Sequence, residues 1–313
     1  MIVRNNNSWL SLIFTIRGSV LERIRYRLFV VFGVAAAATA AFELGWLGAH
    51  TSLTPLPFTL VGFALSIFLG FRNSASYDRY WEGRKLWGQL VNTSRSFTRE
   101  VLTLVAPASP GDEGAVGALR TELVHRHIAY VHALKMHLRE TWQLADLAGL
   151  LPSAELAALE GERNRPNALL QRQGERVAEA WRRGWIHPMH LPLLEQQLVE
   201  IANVQGGCER IHNTPLPHAF IVLLHRIVSA YCFSLPFGIV ETTHYLTPLV
   251  AVMVGYAFFG LDAIGDEIEE PFGLDRNDLP LSAIATNIEI VLRQRLGEAD
   301  LPDAPKPVDE VLT

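Results

Sequence analysis

The 313-residue sequence predicts an all-α fold, a polytopic membrane protein with four transmembrane helices and a large helical cytoplasmic region. Three observations lead there. Two long apolar stretches are each broken once in the middle, at the length of a helical hairpin across a bilayer. Basic residues crowd the outer ends of the first stretch, whereas the loop inside it lacks Lys and Arg. Composition is 49% hydrophobic and 19% charged, more apolar than a water-soluble domain but well short of a wholly buried one, so the remainder must be water-exposed.

Taken in order, Arg4, Arg17, Arg23, Arg25 and Arg27 precede the first apolar run, which begins too late for a cleaved secretory signal. Leu12, Ile13, Ile16 and Val20 at helical spacing predict an amphipathic segment along the cytoplasmic surface. From Leu28 to Phe71 the only formal charge is Glu43, placed near the outer interface. This length divides into one span from Leu28 to about Leu47 and a second starting near Pro57, a residue suited to a first helical turn. The charge asymmetry puts both ends in the cytoplasm.

The second span changes character along its length. Gly62, Ser66 and Gly70 recur every four residues, with Ser74 next, and make a nearly bare face on which helices can approach closely. Phe63, Ile67 and Phe71, one residue on, form a bulky apolar stripe about 100° around the helix. If copies pack through the small face in a ring, the bulky stripe can line a narrow apolar neck; as ordinary lipid-facing or core residues it would line nothing. Arg72 and Asn73 follow at the cytoplasmic mouth of such a neck, where Arg72 either tunes ion passage or anchors the helix end beside lipid phosphate.

Tyr77 to Glu100 continues as a charged helix, and Ala106 to Gly117 is a loop by its Pro, Gly and Ser content. Leu119 to Leu151 reads as one long helix whose His125, His127, His132 and His137 lack paired zinc-ligand spacing. Ser153 to Arg183 is helical with a break near Asn164 to Asn167, Gly184 to Pro192 is a corner, and Leu193 to Arg210 is a further helix. His212 to Phe220 leads back into the membrane for a second hairpin over Ala219 to Ile264, turning at ETTHYLTP. His225 and Arg226 call for an acidic partner at similar depth, with Asp262 or Asp266 the candidates. One more helix follows Pro280 to about Gly297, and the proline-containing tail 298–313 is expected to be disordered. Cys208 and Cys232 form no spaced motif and predict no structural disulfide.

The segment GFRNSASYDRYWEGRKLWGQLVN, Gly70 to Asn92, resembles the signature segment of bacterial bestrophin-family membrane proteins. GCERIHNTPLP at Gly207 to Pro217, LLHR at Leu223 to Arg226 and EEPFG at Glu269 to Gly273 resemble the same family in register. The resemblance implies one bestrophin-like unit over 1–297, with membrane hairpins at about 28–75 and 219–264 and cytoplasmic helices at about 76–218 and 265–297. It implies a homopentameric ion channel, and a second constriction near the cytoplasmic mouth that falls by register at Met189 or Leu191. In animal members an acidic run after PFG clasps calcium; here Leu274 and Arg276 interrupt it, which removes oxygens that calcium needs, and no metal or other cofactor is expected.

No nucleophile elbow, phosphate loop, metal-ligand pair or dinucleotide fingerprint is present, so no enzyme is predicted. The reading is a pentameric channel of the bacterial inner membrane with cytoplasmic termini, whose partners are its own copies, membrane lipid and permeating inorganic ions rather than nucleic acid. Anion conduction, chloride in particular, is favoured on the positive ring edges of Phe63 and Phe71 and on Arg72; acids from Asp262 onward would favour cations if they lined the vestibule. A secondary transporter and a non-conducting scaffold are the other classes.

Overall fold

The computed structural model describes residues 1–3, 15, 16, 18–46 and 54–313. The helical order is α1 (Leu21–Glu43), α2 (Pro55–Leu104), α3 (Glu113–Leu138), α4 (Ser153–Glu160), α5 (Arg165–Arg182), α6 (Leu191–Asn213), α7 (His218–Thr243), α8 (Thr247–Glu269) and α9 (Leu281–Leu296). The only β-type pairings among the described residues are isolated bridges. Leu12, Ile13, Arg17, Leu47 and the loop at His50 and Thr51 lie outside the described residues.

The chain divides into two compact units, Arg4–Trp81 with Pro215–Pro271, and Met1–Val3 with Glu82–Thr214 and Phe272–Thr313. In the first unit α1, the N-terminal part of α2, α7 and α8 share one apolar core. Ile24, Leu28, Val31 and Ala35 of α1 meet Leu65 and Leu69 of α2, Leu224 and Val228 of α7, and Ala251 and Phe259 of α8. The α1 contribution recurs at alternating steps of four and three, one narrow helical face. Gly255 of α8 lies opposite it, and a Cβ there would sit 3.5 Å from Leu28. Outside this core the unit is apolar too: Phe29, Leu60, Phe68, Leu249 and Met253 are all exposed. Helices that are apolar all round belong in a membrane.

Three helical stretches among the described residues are long and apolar enough to cross one: Leu21–Glu43, Pro55–Leu104 and His218–Glu269. The last is not one rod. At His244 the backbone enters the left-handed region (φ 42°), a single 3₁₀ turn spans His244–Leu246, and Pro248 opens α8 near its first position. The chain therefore reverses, and Tyr231 meets Phe258 edge-on at 5.2 Å between ring centroids. The loop expected at ETTHYLTP is this tight turn. The helix that carries the first span begins at Leu21, ahead of Leu28, and its early arginines find acidic partners: Arg23 lies 3.8 Å from Glu267 and Arg27 lies 3.5 Å from Asp262.

In the second unit α3 is buried on nearly all sides from Leu123 to Leu138. The expected single helix 119–151 stops at Leu138, where Arg139 turns away to donate to Ser282 Oγ (2.8 Å) and to the Phe272 and Leu279 carbonyls, and Glu140 takes a positive φ. The four histidines of this stretch point to four different partners. His125 meets Glu298 at 2.5 Å, His132 meets Glu289 at 2.8 Å, His137 lies 3.6 Å from Glu209, and His127 bonds Ser94 Oγ at 2.8 Å. Asn164 caps α5 by accepting from the Asn167 N–H, which explains the break read there. Gly297 ends α9 in the left-handed conformation. Beyond it the tail differs from the disordered segment expected: Ile2 pairs with Val311, and the Leu312 N–H bonds the Met1 carbonyl at 2.8 Å, so the two termini satisfy each other's backbone groups. Cys208 and Cys232 are both free and buried, and burial pushes the Cys208 thiol up to about 12.

His127 yields a pH dependence. Complete burial between Phe97 and Tyr130 pushes its pKa down to about 4, so it folds neutral. A depressed histidine contributes stability that is present above the ordinary value near 6.5 and is lost as pH falls toward the folded value, here roughly 3 kcal/mol by about pH 4. Thermal unfolding of the detergent-solubilised protein should fall more steeply between about pH 6.5 and 4 in wild type than in His127→Gln; equal slopes would show that His127 is not the group responsible.

Candidate functional site

The N-terminal part of α2 has two unlike faces. Gly62, Leu65, Leu69, Arg72 and Ser76 follow each other at steps of three and four and are buried in the unit. The opposite side carries Phe63, Ile67 and Phe71, whose exposures are 69%, 42% and 67%. The small stripe is divided between the two. Gly62 is turned inward against Tyr231, whose Oη would lie 2.6 Å from an added Cβ, so a larger residue here would have to displace the phenol. Ser66 is exposed and bonds back to the Gly62 carbonyl at 2.8 Å, and Gly70 has nothing within 4 Å of where a Cβ would stand. The bulky stripe and two of the three small residues are thus uncovered among the described residues.

Arg72 has no exposure at all, with Asp262 at 1% beside it. One terminal nitrogen lies 2.7 Å from Asp262 Oδ1, the other bonds Asp266 Oδ1 and lies 3.8 Å from Glu269. The other groups close around the same carboxylates. His225 Nδ1 bonds Asp262 Oδ2 at 2.6 Å, Arg27 approaches that oxygen while its guanidinium lies 5.6 Å over the Phe259 ring, and Arg79 Nε donates to the Glu269 carbonyl at 3.1 Å. Each helix of the unit contributes at least one polar side chain. Asn73 Oδ1 is shielded beside Gly265, where an added Cβ would come within 2.6 Å of it.

Of His225 and Arg226, expected to pair with Asp262 or Asp266, His225 meets both, at 2.6 Å and 3.5 Å, whereas Arg226 has no ion pair with either among the described residues. Arg72, however, faces the protein interior and neither an open surface nor a lipid headgroup, and Asp262, Asp266 and Glu269 are its partners. The signal was in the spacing: the acids stand four and three residues apart on one face of α8, and Arg72 and Arg79 stand seven apart on one face of α2. His225, Asp262 and Asp266 also bring three possible metal-ligating atoms within 4.8 Å of one another. The Arg72 guanidinium already takes the Asp262 and Asp266 oxygens that such an ion would need, so the donor set suits an ion pair. After PFG, Leu274 is 68% exposed and the Asp278 carboxylate accepts the Asp275 N–H at 2.7 Å, a local turn that does not supply the six to eight oxygens calcium favours. In the second unit Met189 is 75% exposed and Leu191, the first residue of α6, is half-buried.

The profile of the family described as Bacterial/Fungal Bestrophin protein matches residues 1–294. The chain belongs to the bestrophin family. Among bestrophin relatives, a Ralstonia nicotianae protein named "Voltage-dependent anion channel-forming protein RSc3414" is 43% identical over 303 residues, 97% of each chain. Escherichia coli K12 has a protein named "Voltage-dependent anion channel-forming protein YneE" that is 41% identical over 305 residues, 96% of each chain. The crystal structure of a bacterial bestrophin homolog from Klebsiella pneumoniae is 34% identical, covers 88% of this chain and 100% of its own, and superposes with a TM-score of 0.82. The all-α bestrophin architecture therefore extends over nearly the whole chain.

Removing one member of a buried ion network leaves the others unpaired, at a cost of about 3–5 kcal/mol. Arg72→Leu should lower the unfolding temperature of the purified protein sharply, and adding Asp262→Asn and Asp266→Asn to it should recover part of the loss. An unchanged unfolding temperature in the single variant would remove the network from the stabilising interactions.

Proposed function

We propose that this bestrophin is an ion channel rather than an enzyme, that it assembles as a homopentamer in the bacterial inner membrane, and that it conducts anions such as chloride. Each chain crosses the membrane four times, through α1, the start of α2, α7 and α8, with both termini in the cytoplasm. The uncovered stripe of Phe63, Ile67 and Phe71 carries the reading. Three large apolar side chains at one-turn spacing, beside the bare positions Ser66 and Gly70, fit copies of α2 packed around an axis with the bulky stripe inward. Met189 and Leu191 form the second, cytoplasmic constriction.

The anion preference rests on the names of the Ralstonia and Escherichia relatives and on the positive edges of Phe63 and Phe71. The charge considerations change unequally. Arg72 is enclosed and does not offer a cation to the pore, and Asp262 and Glu269 are buried against it, while Asp266 is partly exposed and Glu270 exposed. Asn73 at the end of the stripe acts through packing against Gly265.

Purified protein in planar bilayers under asymmetric potassium chloride should reverse near the chloride equilibrium potential; reversal near the potassium value would make it a cation channel of the same architecture. Ile67→Ala, which widens the neck without touching the ion network, should raise conductance or open probability several-fold. An unchanged current would move the constriction elsewhere, and silence from an intact oligomer would favour a scaffold.

A further inference from the structure

Arg226, the last residue of the LLHR segment, stands outside the ion network. At the same level of the first unit Arg27, Arg72, His225, Asp262 and Asp266 all have partners, whereas Arg226 is exposed and makes no hydrogen bond or ion pair among the described residues. Charge at membrane depth is rarely left without a partner. This one has to come from outside the chain.

The surroundings select its chemistry. Leu223, Arg226, Ala230 and Phe237 follow each other on one exposed face of α7, so the cation interrupts an otherwise apolar strip. A free anion gains nothing from such a strip, whereas a molecule with an anionic head and hydrocarbon chains fits both parts of it. The depth fits as well. With 26 residues α7 is about 39 Å long, against a hydrocarbon core of about 30 Å. Centred in that core, it places the Arg226 backbone, eight residues from the start at His218, roughly 7 Å inside the boundary. A long arginine stem snorkels across such a distance, and side chains on a helix lean toward its N-terminus, which for α7 is the cytoplasmic end. The guanidinium then reaches the phosphate level, where it can engage two oxygens at once. Arg25 of α1, also exposed and without a partner among the described residues, adds positive charge at the same end, between Arg23 and Arg27, which meet the acids of α8.

We infer that Arg226 binds the phosphate of an anionic phospholipid in the cytoplasmic leaflet, with the exposed strip of α7 against its acyl chains. The inference rests on the membrane topology proposed above and not on conduction. Lipid binding by an oligomer that is silent in bilayers would keep it and remove the channel.

Native mass spectrometry of the intact detergent-solubilised oligomer, titrated with phosphatidylglycerol and separately with phosphatidylcholine of the same chains, tests it. Wild type should retain phosphatidylglycerol in preference. Arg226→Gln should weaken that retention at least about tenfold, the scale of one charge-assisted hydrogen bond, with the mass of the oligomer unchanged. Arg226→Lys, which keeps the charge and loses the paired contact, should fall between them. Equal retention of the two lipids, equal retention of phosphatidylglycerol by wild type and Arg226→Gln, or displacement of the lipid by inorganic phosphate overturns the inference. So does dissociation of the oligomer in Arg226→Gln, which would pair Arg226 with an exposed acid of a second copy, Asp78 or Glu270.

Discussion

A guanidinium with no access to solvent, set among helices apolar enough for a membrane, is the constraint on which the rest of the first unit depends. Desolvating Arg72 is expensive, and the expense is met only because Asp262 and Asp266 stand within bonding distance and Glu269 follows a turn later. Those acids have more oxygens than one arginine engages, so His225 and Arg27 complete the network from α7 and α1. No helix of this unit can rotate without separating one of these groups from its partner. Directional ion pairs thus set the rotation of helices whose apolar packing alone, Leu against Leu in a lipid-like interior, would leave weakly specified.

The rotation of α2 has a functional side. With Arg72 turned into the bundle, Phe71 beside it must turn out, and Ile67 and Phe63 follow at steps of four. The buried polar face and the uncovered apolar face are two consequences of a single helical phase. Gly62 and Gly265 serve that phase from the packing side, one by admitting Tyr231 and the other by admitting Asn73.

The second unit follows a different logic. Its central helix α3 carries histidines that a water-soluble surface helix would leave solvated, yet most of them are paired with acids from other elements: Glu289 of α9, Glu209 of α6 and Glu298 after α9. His127 is the exception, kept neutral by burial and satisfied by a hydroxyl. Polar groups thus tie a helix that is largely buried to its neighbours.

Much of this was legible in one sequence. Long apolar runs, the arginines outside them, Pro57, Pro248 and Gly297 as punctuation, and the signature from Gly70 to Asn92 determined the helical membrane architecture and the family, because backbone satisfaction in lipid and helix-end chemistry are local requirements. The stripes on α2 were visible for the same reason: helical periodicity is a property of one segment. Which face of α2 would be buried was not. Arg72 reads equally well as a pore-mouth charge or a lipid anchor until the acids 190 and more residues later are brought to it. The stop of α3 at Leu138 depended on carbonyls from 272 and 279, and the pairing of Ile2 with Val311 depended on the two ends of the chain meeting. These are choices among partners far apart in sequence, and only the tertiary structure decides them, because the energy of a buried charge or an unpaired backbone group is set by what is packed against it and by nothing in its own segment.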